Sequence, residues 1–175
     1  MFNIAIINSN ENYWGYFLLF SGSLLSLHTS TNYDTRQHHF SPLDYYLEFR
    51  VKACREVHIG LMVNNSVVYR FVIGYEDNQK STFRMSGMDK AVTDTPGILH
   101  CDYYRRFWTR WASSRVPGTT MFELGTGEVG SQRLLHYYEP SVPQQKYRVS
   151  LSTANGAAGE FLLKETQGIM IVVQF

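Results

Sequence analysis

The chain has 175 residues, 16 basic and 15 acidic side chains, a formal charge of +1, and is 44% hydrophobic and 15% aromatic. That length suits one domain and folds without staples, because a chain of this size buries roughly 70% of its unfolded surface. Balanced charge without runs of one sign excludes a nucleic-acid footprint and a polybasic membrane anchor. No apolar stretch reaches the ~18 residues of a membrane helix, which argues against membrane insertion.

Phe2 to Ile7 opens the chain with β-branched and aromatic residues, the composition of a strand. Trp14 to Leu27 is apolar, but no Lys or Arg precedes Arg36, so the positive start of a secretory signal is missing. Gly15 and the Ser21-Gly22-Ser23 triplet divide it into two strands with a turn. Residues 28–36 follow as a polar loop containing Tyr33, Asp34 and Arg36. Tyr45 to Ala53 is the clearest element: Tyr45, Leu47, Phe49, Val51 and Ala53 fall on one face, and Tyr46, Glu48, Arg50 and Lys52 on the other. That alternation predicts a half-buried antiparallel strand. Val57 to Val63 and Val67 to Gly74, joined at Asn64-Asn65-Ser66, read as a hairpin. The same triplet is an N-glycosylation sequon, which matters only if the chain is secreted.

Ser81 to Met85 is a short strand after the polar turn 76–79, and Ser86 to Gly97, with two Gly and one Pro, is expected to be a loop. Arg105 to Ala112 resumes alternation, with Phe107, Thr109 and Trp111 opposite Trp108 and Arg110. Thr119 to Leu124, Leu134 to Tyr138, Tyr147 to Thr153 and Glu160 to Leu163 are further short strands, and Ile169 to Phe175 closes the chain. About a dozen strands at this spacing, with almost no helical periodicity, predict a single all-β domain over 1–175, an antiparallel jelly-roll-like β-sandwich with little or no helix. The terminal strands 2–7 and 169–175 would be hazardous as bare edges and are expected to pair with each other or with a partner chain, which leaves a homo-oligomer open. Two cysteines, Cys54 and Cys101, are too few for a disulfide scaffold: they form either one bridge outside the cell or two free thiols inside it, with the balance slightly toward free thiols acting as small buried hydrophobes. Secreted and cytoplasmic locations both stay open.

From Phe49 onward an ordered series stands out. Phe49-Arg50-Val51-Lys52-Ala53 leads into Val57-His58-Ile59-Gly60-Leu61, then Tyr69-Arg70-Phe71-Val72-Ile73-Gly74 and a polar loop with Asn78. Ser81 to Arg84, Phe107-Trp108-Thr109-Arg110-Trp111, Tyr147 to Thr153 and Gly156-Ala157-Ala158-Gly159-Glu160-Phe161 complete it. The series resembles the invertebrate farnesoic acid O-methyltransferase domain family over about 44–163. Departures fall at Glu76-Asp77, where the family tends to carry Gly and Trp, and at Ser113 to Gly118, which looks expanded. The family name implies methyl transfer from S-adenosylmethionine to a terpenoid acid, although the domain also occurs in proteins with no evident methylation role.

The residues themselves favour recognition over catalysis. Phe122 to Gly130 resembles the acidic, glycine-rich loop of Rossmann-like methyltransferases, but such a loop needs a parallel strand before it and a crossover helix after it. Pro140 and Pro143 break the following segment, so a glycine-rich turn between antiparallel strands is expected. Cys101 beside His100 is no nucleophilic dyad, since neighbours in an extended chain point to opposite faces. No cofactor and no metal are expected: Glu76-Asp77 lacks the alternating ligand pattern of a Ca²⁺ loop. Candidate ligand contacts are Tyr75, Glu76, Asp77 and Asn78 at a hairpin tip, Trp108 and Arg110, Tyr33, Asp34 and Arg36, and His136. They supply the rings and planar polar groups that bind a glycan or glycoprotein. The leading reading is a lectin-like recognition module; the runner-up is the methyltransferase that the family name implies, and a third is a structural protein that self-associates through its terminal strands. Replacing Trp108 or Asn78 by Ala is then expected to remove binding while leaving the melting temperature unchanged.

Overall fold

The computed structural model describes residues 3–9, 13–19, 24–29, 38–42, 44–140, 142–164 and 170–171, with side chains for 25–29, 41–42, 44–140 and 142–163. It is an antiparallel jelly-roll-like β-sandwich. A six-stranded sheet and a seven-stranded sheet face each other, and a separate two-stranded sheet stands beside them.

The six-stranded sheet runs β12 (Gln132–Glu139), β11 (Thr120–Thr126), β10 (Arg105–Ser113), β5 (Tyr46–Ala53), β14 (Gly159–Lys164), β3 (Leu24–Thr29). The seven-stranded sheet runs β15 (Met170–Ile171), β4 (His38–Ser41), β13 (Arg148–Thr153), β6 (Val57–Val63), β7 (Ser66–Gly74), β8 (Lys80–Met85), β9 (Met88–Asp94). β1 (Asn3–Ser9) pairs with β2 (Tyr13–Leu19).

The expected alternation of β5 becomes its register. Leu47, Phe49 and Val51 stand opposite Thr109, Phe107 and Arg105, and Phe161 opposite Val51. Leu47, Phe49, Val51 and Ala53 are buried, whereas Arg50 is exposed. From the other sheet, Ile59, Leu61, Phe71, Phe83, Val149 and Leu151 close on the same core. Aromatic rings join the layers: Tyr69 lies 4.5 Å from Phe122 and Phe83 lies 4.8 Å from it, between centroids. Burial pushes the Tyr69 hydroxyl up to about 12, as expected for a phenol enclosed in this core. Most of the aromatic excess is therefore sandwich filling.

Four expectations change. β9 occupies the segment read as a loop: it is an edge strand, with Met88, Asp89, Val92 and Asp94 exposed, so no buried face imposed alternation on it. β4 is an additional strand of four residues, paired with β13 on one side and β15 on the other. Among the described residues the terminal strands do not pair with each other; β1 pairs with β2 and β15 with β4. Cys54 and Cys101 are not free thiols but form a disulfide, because the β5–β6 and β9–β10 connections meet at one end of the sandwich. The glycine-rich segment is a turn as expected, closing the antiparallel β11–β12 hairpin. Among the described residues every strand pair is antiparallel, and no helix is long and apolar enough to cross a membrane.

Candidate functional site

Four connections converge at the end of the sandwich where β5, β7, β9 and β13 finish: 54–56, 75–79, 95–104 and 154–158. They are knitted by backbone bonds that run from loop to loop. Glu56 N–H donates to Gly74 O (3.1 Å), Ala154 N–H to Glu56 O (3.1 Å), Gly97 N–H to Asn78 O (2.8 Å) and Ala53 N–H to His100 O (3.1 Å). The Cys54–Cys101 bridge adds a covalent tie.

The backbone here is unusual. Glu76 (φ 51°), Asp77 (φ 54°) and Asn78 (φ 65°) are consecutive left-handed residues behind Gly74 (φ 72°). Left-handed backbone costs an L-residue about 1–2 kcal/mol, and Asn and Asp resist it least. Gly74 has a second constraint, since a Cβ there would lie 2.5 Å from Leu99 Cδ1. The turn is held open by Asn78, whose Nδ2 donates to Leu99 O (3.0 Å) while its Oδ1 accepts from Leu99 N–H (3.0 Å). Glu56 and Asn155 are left-handed as well. Strain gathered at one end of a scaffold is a mark of functional sites.

Beneath the platform, Glu56 and His58 are both buried, with His58 Nε2 3.2 Å from Glu56 Oε1. Asn155 Nδ2 donates to the other Glu56 oxygen. The hydrogen bond from His58 holds the Glu56 carboxyl below its ordinary range. Burial in turn pushes the His58 imidazole down, aided by the positive charge of Arg70. At neutral pH this is an ionised carboxylate accepting from a neutral Nε2–H imidazole.

Three of the four loops line an open pocket of about 460 Å³, through Cys54, Arg55, Asp77, Asn78 and Gly156 to Ala158. That volume suits a small ligand. Arg55 Nη1 reaches Asp77 Oδ1 at 2.9 Å, and both side chains are well exposed to solvent. On the adjoining loop His100 stacks on Tyr103, which is 49% exposed and carries the Arg105 guanidinium 5.1 Å from its ring centre. On the outer face of the six-stranded sheet, Lys52 Nζ lies 2.8 Å from Glu160, and this contact, with a further hydrogen bond from Tyr104, holds Glu160 down at about 2.

The residues singled out from sequence separate. Asp77 and Asn78 line the pocket. Tyr75 and Glu76 belong to the same turn but point elsewhere: the Tyr75 ring lies 4.4 Å from the Arg84 guanidinium, and Glu76 pairs with Lys80 at 2.8 Å. Trp108 and Arg110 do face away from the core, yet Trp108 is only 1% exposed. Its indole lies flat on Gly125, where a Cβ would sit 2.4 Å from the ring, and its Nε1 donates to Thr126 O at 3.3 Å. Arg110 Nε donates to Glu123 Oε2 at 2.6 Å, and Arg133 takes the other carboxylate oxygen at 3.1 Å. His136 is exposed on this outer face, edge-on to Tyr138 and away from the pocket. Tyr33, Asp34 and Arg36 lie outside the described residues. The expectation of unchanged melting temperature is therefore reversed for both test residues, since Trp108 is packed and Asn78 is a clamp. Sequence reading passed over Arg55 and 156–158, whose signal was only a strand break and an Asn-Gly turn. Among the described residues no group of three or more His, Cys, Asp or Glu could hold a metal.

A family model described as farnesoic acid O-methyl transferase matches residues 27–167. No curated protein matches the chain. Among solved structures it is similar to galectin LEC-6 of Caenorhabditis elegans, at 8% identity and a TM-score of 0.43, covering 90% of this chain and 98% of that one. A legume lectin-like domain from Entamoeba histolytica gives 10% identity and a TM-score of 0.42, covering 94% and 86%. The CBM2 module of the evolved Dit of Lactobacillus casei BL23 phage J-1 gives 10% and 0.36, covering 98% and 81%. These likenesses are too loose to carry any of those proteins' ligands across.

Proposed function

We propose that this chain, which belongs to the farnesoic acid O-methyl transferase family across residues 27–167, is a non-catalytic recognition module that binds carbohydrate at its four-loop platform. The observation that carries the reading is the pocket on cross-tied, strained loops, with Arg55 and Asp77 at its mouth. A guanidinium and a carboxylate held side by side present fixed donors and acceptors, the pattern that vicinal hydroxyls satisfy. The exposed Tyr103 on the neighbouring loop supplies a flat apolar face for a sugar ring. The disulfide supports an oxidising compartment, where glycans are abundant.

The family name favours a methyltransferase reading instead, with the glycine-rich segment as cofactor loop. That segment closes an antiparallel hairpin, where Ser131 N–H donates to Glu128 O (2.9 Å), a geometry that supports a turn.

A glycan array with and without EDTA, followed by calorimetry, tests the proposal. Selective binding to a related set of sugars is expected. Arg55→Ala should lower affinity ten-fold or more, as loss of charge-assisted hydrogen bonds worth about 1.5–3 kcal/mol requires. Its melting temperature should barely move, since an exposed ion pair contributes about 0–1 kcal/mol. A blank array together with S-adenosylmethionine binding would sink the proposal and establish the alternative.

A further inference from the structure

Asn64-Asn65-Ser66 is the single Asn-x-Ser/Thr triplet in the sequence. It forms the tip between β6 and β7, where Asn64 (φ 48°) and Asn65 (φ 64°) are the two left-handed residues of a tight hairpin turn and all three residues are exposed. Asparagine tolerates the left-handed backbone that such a turn requires. The four asparagines with described side chains differ in their hydrogen bonding. Asn78 clamps Leu99, Asn155 donates to Glu56, and Asn65 accepts from Arg148. Of these four asparagines, Asn64 is the one without a side-chain hydrogen bond among the described residues.

We infer that Asn64 is an N-glycosylation site. The donor is an oligosaccharide carried on a lipid diphosphate. The Asn64 Nδ2 forms a bond to the anomeric carbon of the first sugar and loses one proton. The bond between that carbon and the phosphate oxygen breaks, and the lipid diphosphate leaves with the electron pair. No oxidation or reduction occurs. The Ser66 hydroxyl completes the recognised triplet. Two features of the fold agree with this chemistry. The Cys54–Cys101 bridge indicates an oxidising compartment, the setting in which such transfer takes place. The tip also lies at the opposite end of β6 from the platform, about 20 Å away over seven residues, so an attached glycan leaves the pocket open.

The test expresses the full chain behind a cleavable secretory leader in animal cells and reads intact mass before and after peptide-N-glycosidase. The expected result is one oligosaccharide, removed by the enzyme with Asn64 converted to Asp, as peptide mapping would read. Ser66→Ala should abolish it without altering either left-handed residue, and Ser66→Thr should keep it. A secreted, disulfide-bonded wild-type chain of unmodified mass overturns the inference, as does an oligosaccharide that persists in Ser66→Ala. Neither outcome touches the glycan-array result, so this site and the binding platform stand or fall separately.

Discussion

Replacing Asn78 by Ala tests whether the left-handed turn is built on its side chain. The substitution removes two hydrogen bonds to the Leu99 backbone, each 3.0 Å long. Leu99 is buried, so its N–H and C=O lose partners that water does not readily replace. At about 1 kcal/mol each, the two bonds contribute about 2 kcal/mol. Alanine at φ 65° adds about 1 kcal/mol, because it lacks the polar side chain that eases Asn into this region. The total, about 3 kcal/mol, lowers the melting temperature by about 6–12 °C for a chain of this size. Differential scanning calorimetry and urea unfolding at pH 7 read it. Asn78→Gly makes a useful companion: it loses the same two bonds but not the left-handed cost, so it should be the milder variant. A destabilisation below about 0.5 kcal/mol in Asn78→Ala, the size of an ordinary surface change, would refute the clamp; Gly as harmful as Ala would refute the backbone part of the sum.

Removing the disulfide with paired Cys54→Ala and Cys101→Ala changes should cost about 4 kcal/mol, the chain-entropy value for a loop of 47 residues, and chemical denaturation of the double variant against wild type measures it. Trp108→Ala should cost about 3–5 kcal/mol by emptying the slot over Gly125; a variant that melts like wild type yet loses ligand would restore Trp108 as a contact residue. Acid should weaken the fold in two stages, read as melting temperature against pH. His58 is held below the ordinary 6.5, so the unfolded chain takes up a proton the folded one refuses, and stability declines as pH falls below about 6.5. Glu56 and Glu160, both held below 4.5, add a second decline as pH falls below about 4.5, which for Glu160 runs toward about 2, and Glu160→Gln should shrink that limb.

Strand positions were legible wherever one face is buried. β5 and β6 follow the alternation of Leu47, Phe49 and Val51 and the apolar run from Val57 nearly to the residue. β9 was not legible, because an edge strand with solvent on one side tolerates Asp89, Lys90 and Asp94 in any order. The outer face of the six-stranded sheet misled in another way. Alternation placed Trp108 outside correctly, but exposure depended on Gly125 across the register, a pairing that no local pattern reveals. The turn 75–78 was marked by its polar composition, while its handedness, and hence which side chains enter the pocket, depended on Leu99 twenty-one residues away. Arg55 became a candidate only when the β5–β6 and β7–β8 connections were brought together.

The single covalent tie also determines how the molecule responds to being pulled or cut. The 47-residue interval it closes contains β6 to β9, four neighbouring strands of the seven-stranded sheet. Stretched between its ends, the oxidised chain keeps that interval out of the extension, hiding about 160 Å of contour until the bond is reduced. A protease nick at the Asn64-Asn65 or Ser86-Gly87 tips falls inside the same interval, so both pieces stay joined and migrate as one species until thiol is added. The bridge thus makes a broken loop survivable for as long as it stays oxidised.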